Sequence, residues 1–178
     1  MDKTGAFMKV VERQDRELRA LAYRLLGKRT AMDDVLQEAY LKAFRGFDAF
    51  RGEATVGTWL YRIVYNACLD YLRGEQRLRE TALEDDVPSG AAAPWGAAAS
   101  GGDPAEEMPG RESLAAALAL LPVEQRAAVL LVDAVGFSYA EAAEVSGVSP
   151  GTVASRLNHA RSALRETLAE GRGDGMVR

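Results

Sequence analysis

Residues 87–110 divide the chain. Val87 to Gly110 is three-quarters Ala, Gly, Pro and Ser, with Pro88, Pro94, Pro104 and Pro109 spaced through it. Such a stretch cannot bury enough apolar surface to offset the entropy of ordering it. A chain of 178 residues is then left with two pieces on either side of a linker, each the size of a small domain. Two small domains are expected rather than one large core.

Both pieces carry helical periodicity and few strand signals. In the first, Phe7, Val10, Val11, Leu18, Leu21, Ala22 and Leu25 form one apolar stripe, and Gly27 stands where a C-cap would. A second helix is expected from about Ala31 to Arg45, with Leu36, Tyr40, Ala43, Phe44 and Phe47 inward. A loop from Phe47 to Ala54 leads into a third helix that starts near Thr55 and runs beyond Arg73. Its apolar stripe is Leu60, Ile63, Val64, Ala67 and Tyr71.

The second piece begins near Arg111. Leu114, Leu118 and Leu121 suggest a short helix stopped by Pro122, and Val123 to Ala134 suggests another, ended by Gly136. Ser138 with Glu141 three residues on is a capping box. Ala142 and Ala143 permit close packing, Gly147 makes a turn, and Ser149 followed by Pro150 starts the next helix. These offsets together spell a helix-turn-helix. The fold class is therefore all-α, two small helical domains joined by a flexible acidic linker.

Three helix faces point away from the apolar stripes. On the last helix, Val153, Leu157, Ala160, Leu164 and Leu168 face inward. Thr152, Ser155, Arg156 and His159 form a second stripe about 120° away. No acid lies between Glu144 and Glu166, while Arg156, Arg161 and Arg165 do. Such a face suits the major groove. On the third helix, Trp59, Arg62, Asn66 and Arg73 share the side opposite its apolar stripe, with Asp70 at the edge. Rings and Arg on one face fit nucleic acid with unpaired bases; the other reading has Trp59 folded back over the preceding loop. On the second helix, Asp34, Glu38, Leu41 and Arg45 are outward with Gln37 beside them. A Leu among mixed charges suggests a protein contact surface.

Charge bears on partners. The whole chain is net −4, which argues against a protein that holds DNA unaided, since phosphate neutralisation supplies most of that affinity. The acidity is concentrated: residues 74–110 carry 2 Lys/Arg against 8 Asp/Glu. The linker is either a plain tether or an acidic strand laid into a partner's basic groove, through Glu84, Asp85, Asp86, Asp103, Glu106 and Glu107. One Cys and one His exclude an intramolecular disulfide, a Cys-rich zinc site and His-pair metal motifs. No metal or cofactor is expected. The only His, His159, has no carboxylate placed to orient it, so catalysis is not expected. Cys68 lies near an apolar stripe and reads as a buried small hydrophobe. No apolar run is long enough for a membrane span. The charged N-terminus is unlike a signal peptide, and a cytoplasmic location is expected.

These pieces resemble the extracytoplasmic-function (ECF, group 4) sigma factors of the sigma-70 family. In the first piece the resemblance rests on Asp33 to Phe44 (DDVLQEAYLKAF), Phe50 to Ala54 (FRGEA) and Thr58 to Asn66 (TWLYRIVYN). In the second it rests on Leu121 to Arg126 (LPVEQR), Gly136 to Ala143 (GFSYAEAA) and Gly151 to Val153 (GTV). Asn66 to Asp70 and Leu121 to Val129 look most like actinobacterial SigM-type members.

The resemblance implies a transcription initiation factor. It implies a sigma2-like domain over residues 1–76, the linker over 77–110, a sigma4-like helix-turn-helix domain over 111–170, and a tail over 171–178. Asp34, Gln37, Glu38, Leu41 and Arg45 would dock on the β′ clamp helices of core RNA polymerase. Phe50, Arg51, Thr58, Trp59, Arg62, Tyr65, Asn66 and Arg73 would open and read the minus-ten element of promoter DNA. Ser149, Thr152, Ser155, Arg156, His159 and Arg161 would read the minus-thirty-five element, with the β flap as a further polymerase contact. The linker would thread toward the RNA exit channel, and an anti-sigma factor is an expected partner. One departure is Ala154, where the family often has Lys after Gly-Thr-Val; upstream contact would then be weaker or differently specified. The competing reading is a stand-alone helix-turn-helix regulator, which leaves the Trp59 face and the linker without a role.

Overall fold

The first helix stops where glycine lets it. Gly27 takes φ 70° and returns its N–H to the Tyr23 carbonyl at 2.8 Å, a left-handed C-cap that closes the helix. The computed structural model describes residues 3–50, 55–84 and 111–173. Its helices are α1 (Lys3–Leu26), α2 (Arg29–Gly46), a 3₁₀ turn (Phe47–Ala49), α3 (Val56–Glu84), α4 (Arg111–Leu120), α5 (Val123–Val129), a π turn (Leu130–Ala134), α6 (Tyr139–Ser146) and α7 (Pro150–Gly173). No strand occurs among the described residues. The fold is all-α, and the chain divides into two units, one built on α1–α3 and the other on α4–α7.

In the first unit the three helices pack pairwise. Leu18, Leu21, Ala22, Leu25 and Leu26 of α1 meet Met32, Val35, Leu36, Ala39 and Ala43 of α2, all buried. From α3 come Leu60, Tyr61, Val64, Tyr65, Cys68 and Leu69. This stripe is rotated by about 90° from the expected one. Ile63, Ala67 and Tyr71 are only half-buried, whereas the rings of Tyr61 and Tyr65 are inside. Tyr61 can bury its ring because its hydroxyl donates to Glu17 Oε2 at 2.9 Å, so the phenol oxygen is not left unmet. Tyr40 does the same toward Asp15 Oδ1 at 2.9 Å. Desolvation raises the pKa of both phenols, and the neighbouring carboxylates raise it further.

α3 runs beyond Arg73, as expected. It continues to Glu84, eight residues into the segment read as linker from residue 77. The remainder of the linker reading, including Asp85, Asp86, Asp103, Glu106 and Glu107, lies outside the described residues, as do Arg51 and most of the tail.

In the second unit α4 and α5 both pack on α7; Ala117, Leu118, Leu121, Ala127 to Leu131 and, on α7, Val153, Leu157, Ala160 and Leu164 are buried. Leu114, expected inward, is 42% exposed. Arg126 is buried, and its Nη2 donates to the carbonyls of Ala119 and Leu121, each at 3.0 Å. It thereby satisfies acceptors that the end of α4 leaves open. Burial lowers its pKa.

The turn before α7 is built by its local chemistry. Ser138 Oγ accepts from the Glu141 N–H at 3.2 Å, and Glu141 Oε2 accepts from the Ser138 N–H at 2.9 Å. Gly147 takes φ 68°, which a side chain would strain. Ser149 Oγ accepts from the Thr152 N–H at 3.1 Å, and Pro150 occupies the first helical position.

Candidate nucleic-acid and polymerase interfaces

On α2, Asp34, Gln37, Glu38, Leu41 and Arg45 are all exposed. Their spacing of three and four residues puts them on one face. None enters an ion pair among the described residues. Leu41 is 50% exposed, although the rest of the apolar stripe of α2 is covered.

At the start of α3, Trp59 is half-buried. Its ring lies 5.3 Å from that of Phe50 and 6.3 Å from that of Phe47, and Phe47 in turn packs edge-on against Phe7 at 5.5 Å. The indole therefore does lean on the preceding turn, as one of the two sequence readings had it, while keeping one side toward solvent. Arg62, Asn66 and Arg73 come after it along the helix and are exposed. Arg73 pairs with Asp70 at 3.2 Å.

Two residues expected on this face are not there. Thr58 is 3% exposed, its N–H donating to Thr55 Oγ1 at 3.1 Å and its hydroxyl 2.9 Å from the same oxygen. It belongs to the cap that starts α3. Tyr65 is 1% exposed, because the rotated core stripe takes it inside. Phe50 is half-buried against Trp59.

On α7, Ser155 and His159 are exposed, and Thr152 and Arg156 half-buried, along one stripe. Ser149 is exposed, with its hydroxyl occupied by the cap. Arg161 does not join them. It lies about 170° around the helix from that stripe and forks onto Asp133, Nε to Oδ2 at 3.2 Å. Its side chain is thus engaged with Asp133 and apart from the Thr152, Ser155, Arg156 and His159 stripe. Asp133 is the residue that sequence reasoning missed, since nothing local connects positions 28 residues apart.

The chain matches the model of sigma-70 region 2 over residues 10–78 and that of sigma-70 region 4 over residues 111–164. It is 40% identical over 163 residues to the ECF RNA polymerase sigma factor SigM of Mycobacterium tuberculosis, spanning 92% of this chain and 77% of that one. The chain belongs to the ECF sigma factors of the sigma-70 family. Among solved structures it is similar to the sigma factor RpoE in complex with the anti-sigma factor NepR from Bartonella quintana, with TM-score 0.73 and 29% identity, covering 92% of this chain and 97% of that one. It is also similar to CnrH in complex with the cytosolic domain of CnrY, with TM-score 0.66 and 25% identity, covering 94% and 90%.

As an ECF sigma factor the chain is a promoter-directing initiation factor. The Trp59 face lies within the region 2 match and the Arg156 face within the region 4 match. A stand-alone helix-turn-helix regulator would not account for region 2. Within the sigma factor, no helix among the described residues is long and apolar enough to cross a membrane. Cys68 is fully buried, and desolvation pushes its thiol up to about 12, so it is a packing residue.

Proposed function

We propose that the sigma factor divides promoter recognition between its two units. The first docks on the β′ clamp helices through Asp34, Gln37, Glu38, Leu41 and Arg45, and it holds separated minus-ten bases against Trp59, Arg62 and Asn66, with Phe50, Arg51 and Arg73 at the margin. The second reads the duplex minus-thirty-five element through Thr152, Ser155, Arg156 and His159, with Ser149 capping the reading helix and the β flap beneath it. The observation that carries this division is Trp59, an indole half-open to solvent in line with Arg62 and Asn66. An aromatic face of that kind gains most from an unstacked base.

An acidic chain that borrows polymerase for affinity needs only to supply base contacts, because these specify and phosphate contacts attract. The acidic segment from residue 85 to 110 then threads a basic polymerase channel toward the RNA exit. The chain works in the cytoplasm, performs no catalysis itself and is held in check by an anti-sigma factor. The domains are those at 1–76 and 111–170, with α3 carrying the first unit on to Glu84. The decisive experiment mixes the protein with core polymerase and maps transcript starts. A shared upstream and minus-ten sequence at those starts is expected; failure to co-migrate with core enzyme would refute the reading.

A further inference from the structure

Arg161 is a cation on the recognition helix that faces away from the bases. Its guanidinium meets Asp133 in a fork, Nε to Oδ2 at 3.2 Å and Nη2 to Oδ1 at 2.5 Å. Both side chains are partly exposed, at 44% and 37%. A single exposed pair adds little to stability, but a two-pronged arginine–carboxylate pair fixes orientation.

The place of Asp133 matters. It sits in the π turn that ends the α5 segment, where the Val135 N–H reaches the Leu130 carbonyl at 2.9 Å and the Phe137 N–H reaches that of Leu131 at 3.0 Å. Inserting one residue into a helix turns the segment after it by about 100°. Asp133 is held within that turn. One arginine on α7 therefore ties that helix to the turn that ends the α5 segment.

We propose that Asp133 and Arg161 form a clasp that sets the angle at which α7 presents Thr152, Ser155, Arg156 and His159 to duplex DNA. Both are positioning residues for upstream-element recognition. The inference rests on the reading of α7 as the upstream reader.

The test uses the full chain with core polymerase on a promoter found by transcript mapping. A second template has the upstream element scrambled. Both carry a pre-melted minus-ten bubble, so that initiation stays measurable without upstream contact. Asp133→Ala, Arg161→Ala, their double variant and Arg156→Ala are compared. Each clasp variant should lower initiation on the intact template by about two- to fivefold and leave the scrambled template unaffected. The double variant should be no worse than either single one.

Normal or raised initiation by Asp133→Ala, with a loss for Arg161→Ala, would mean that Arg161 touches DNA directly and would overturn the clasp. Equal losses on both templates would overturn it too, as a general folding defect. Upstream-specific loss for Arg156→Ala but none for the clasp variants would remove the clasp and leave the α7 reading standing. No upstream-specific loss for Arg156→Ala would overturn that reading, and the clasp with it.

Discussion

The ring of Trp59 rests 5.3 Å from that of Phe50, tilted by 46°. Phe50 closes the 3₁₀ turn after α2, so the indole joins the end of that turn to the helix face carrying Arg62 and Asn66. Replacing Trp59 by Ala should slow open-complex formation on duplex promoters. A pre-melted bubble should restore part of the rate, since base stacking there is worth about 1–3 kcal/mol. Trp59→Phe should lose less. Heparin-resistant complexes on the two templates measure this, and equal loss on both would remove Trp59 from strand separation.

Arg156 should behave in the opposite way. Its helix fits a B-form major groove, so Arg156→Ala should cost about 1–3 kcal/mol at one base pair of the upstream element. A bubble at minus ten should not rescue it specifically. Competition binding of holoenzyme to single-base variants of the upstream element reads the effect.

Leu41 is half-exposed on α2. Leu41→Lys should therefore leave the melting temperature of the free protein almost unchanged while weakening its affinity for core polymerase. Fluorescence titration against core enzyme checks this; unchanged affinity would take Leu41 out of the interface.

The capping box at Ser138 should make the recognition unit acid-sensitive. Hydrogen bonds from the Ser138 hydroxyl and N–H hold the Glu141 carboxyl below its ordinary value. A depressed carboxylate pKa contributes stability above the unfolded value, and that contribution is lost as pH falls through the folded one. Glu141→Gln should thus lower the melting temperature near neutral pH and make little difference well below the carboxylate range. Ser138→Ala should cost about 0.5–2 kcal/mol near neutral pH, measured by urea unfolding.

Cys68 supplies a probe of the first unit. With its thiol buried and pushed up to about 12, alkylation at about pH 8, below even an ordinary thiol pKa, should be slow in the native protein and fast in urea. Rapid labelling of the native chain would show that the α3 core opens readily.

Much of this was legible in the chain itself. Gly27, Pro122, the Ser138–Glu141 box, Gly147 and Ser149–Pro150 all stand where helices begin or end. Each acts on backbone groups within about four residues, so a linear pattern contains the whole cause. The outward placement of Asp34, Gln37, Glu38, Leu41 and Arg45 came in the same way from helical spacing. The tertiary structure decided what spacing leaves open. Tyr61 turned inward because Glu17, 44 residues away, accepts its hydroxyl, and the α3 stripe that buries it also took in Tyr65. Helical spacing alone turns Arg161 about 170° from the Thr152–His159 stripe, but only the tertiary structure supplied its partner, Asp133, 28 residues away. An amphipathic side chain has two acceptable environments, and only a partner distant in sequence selects between them.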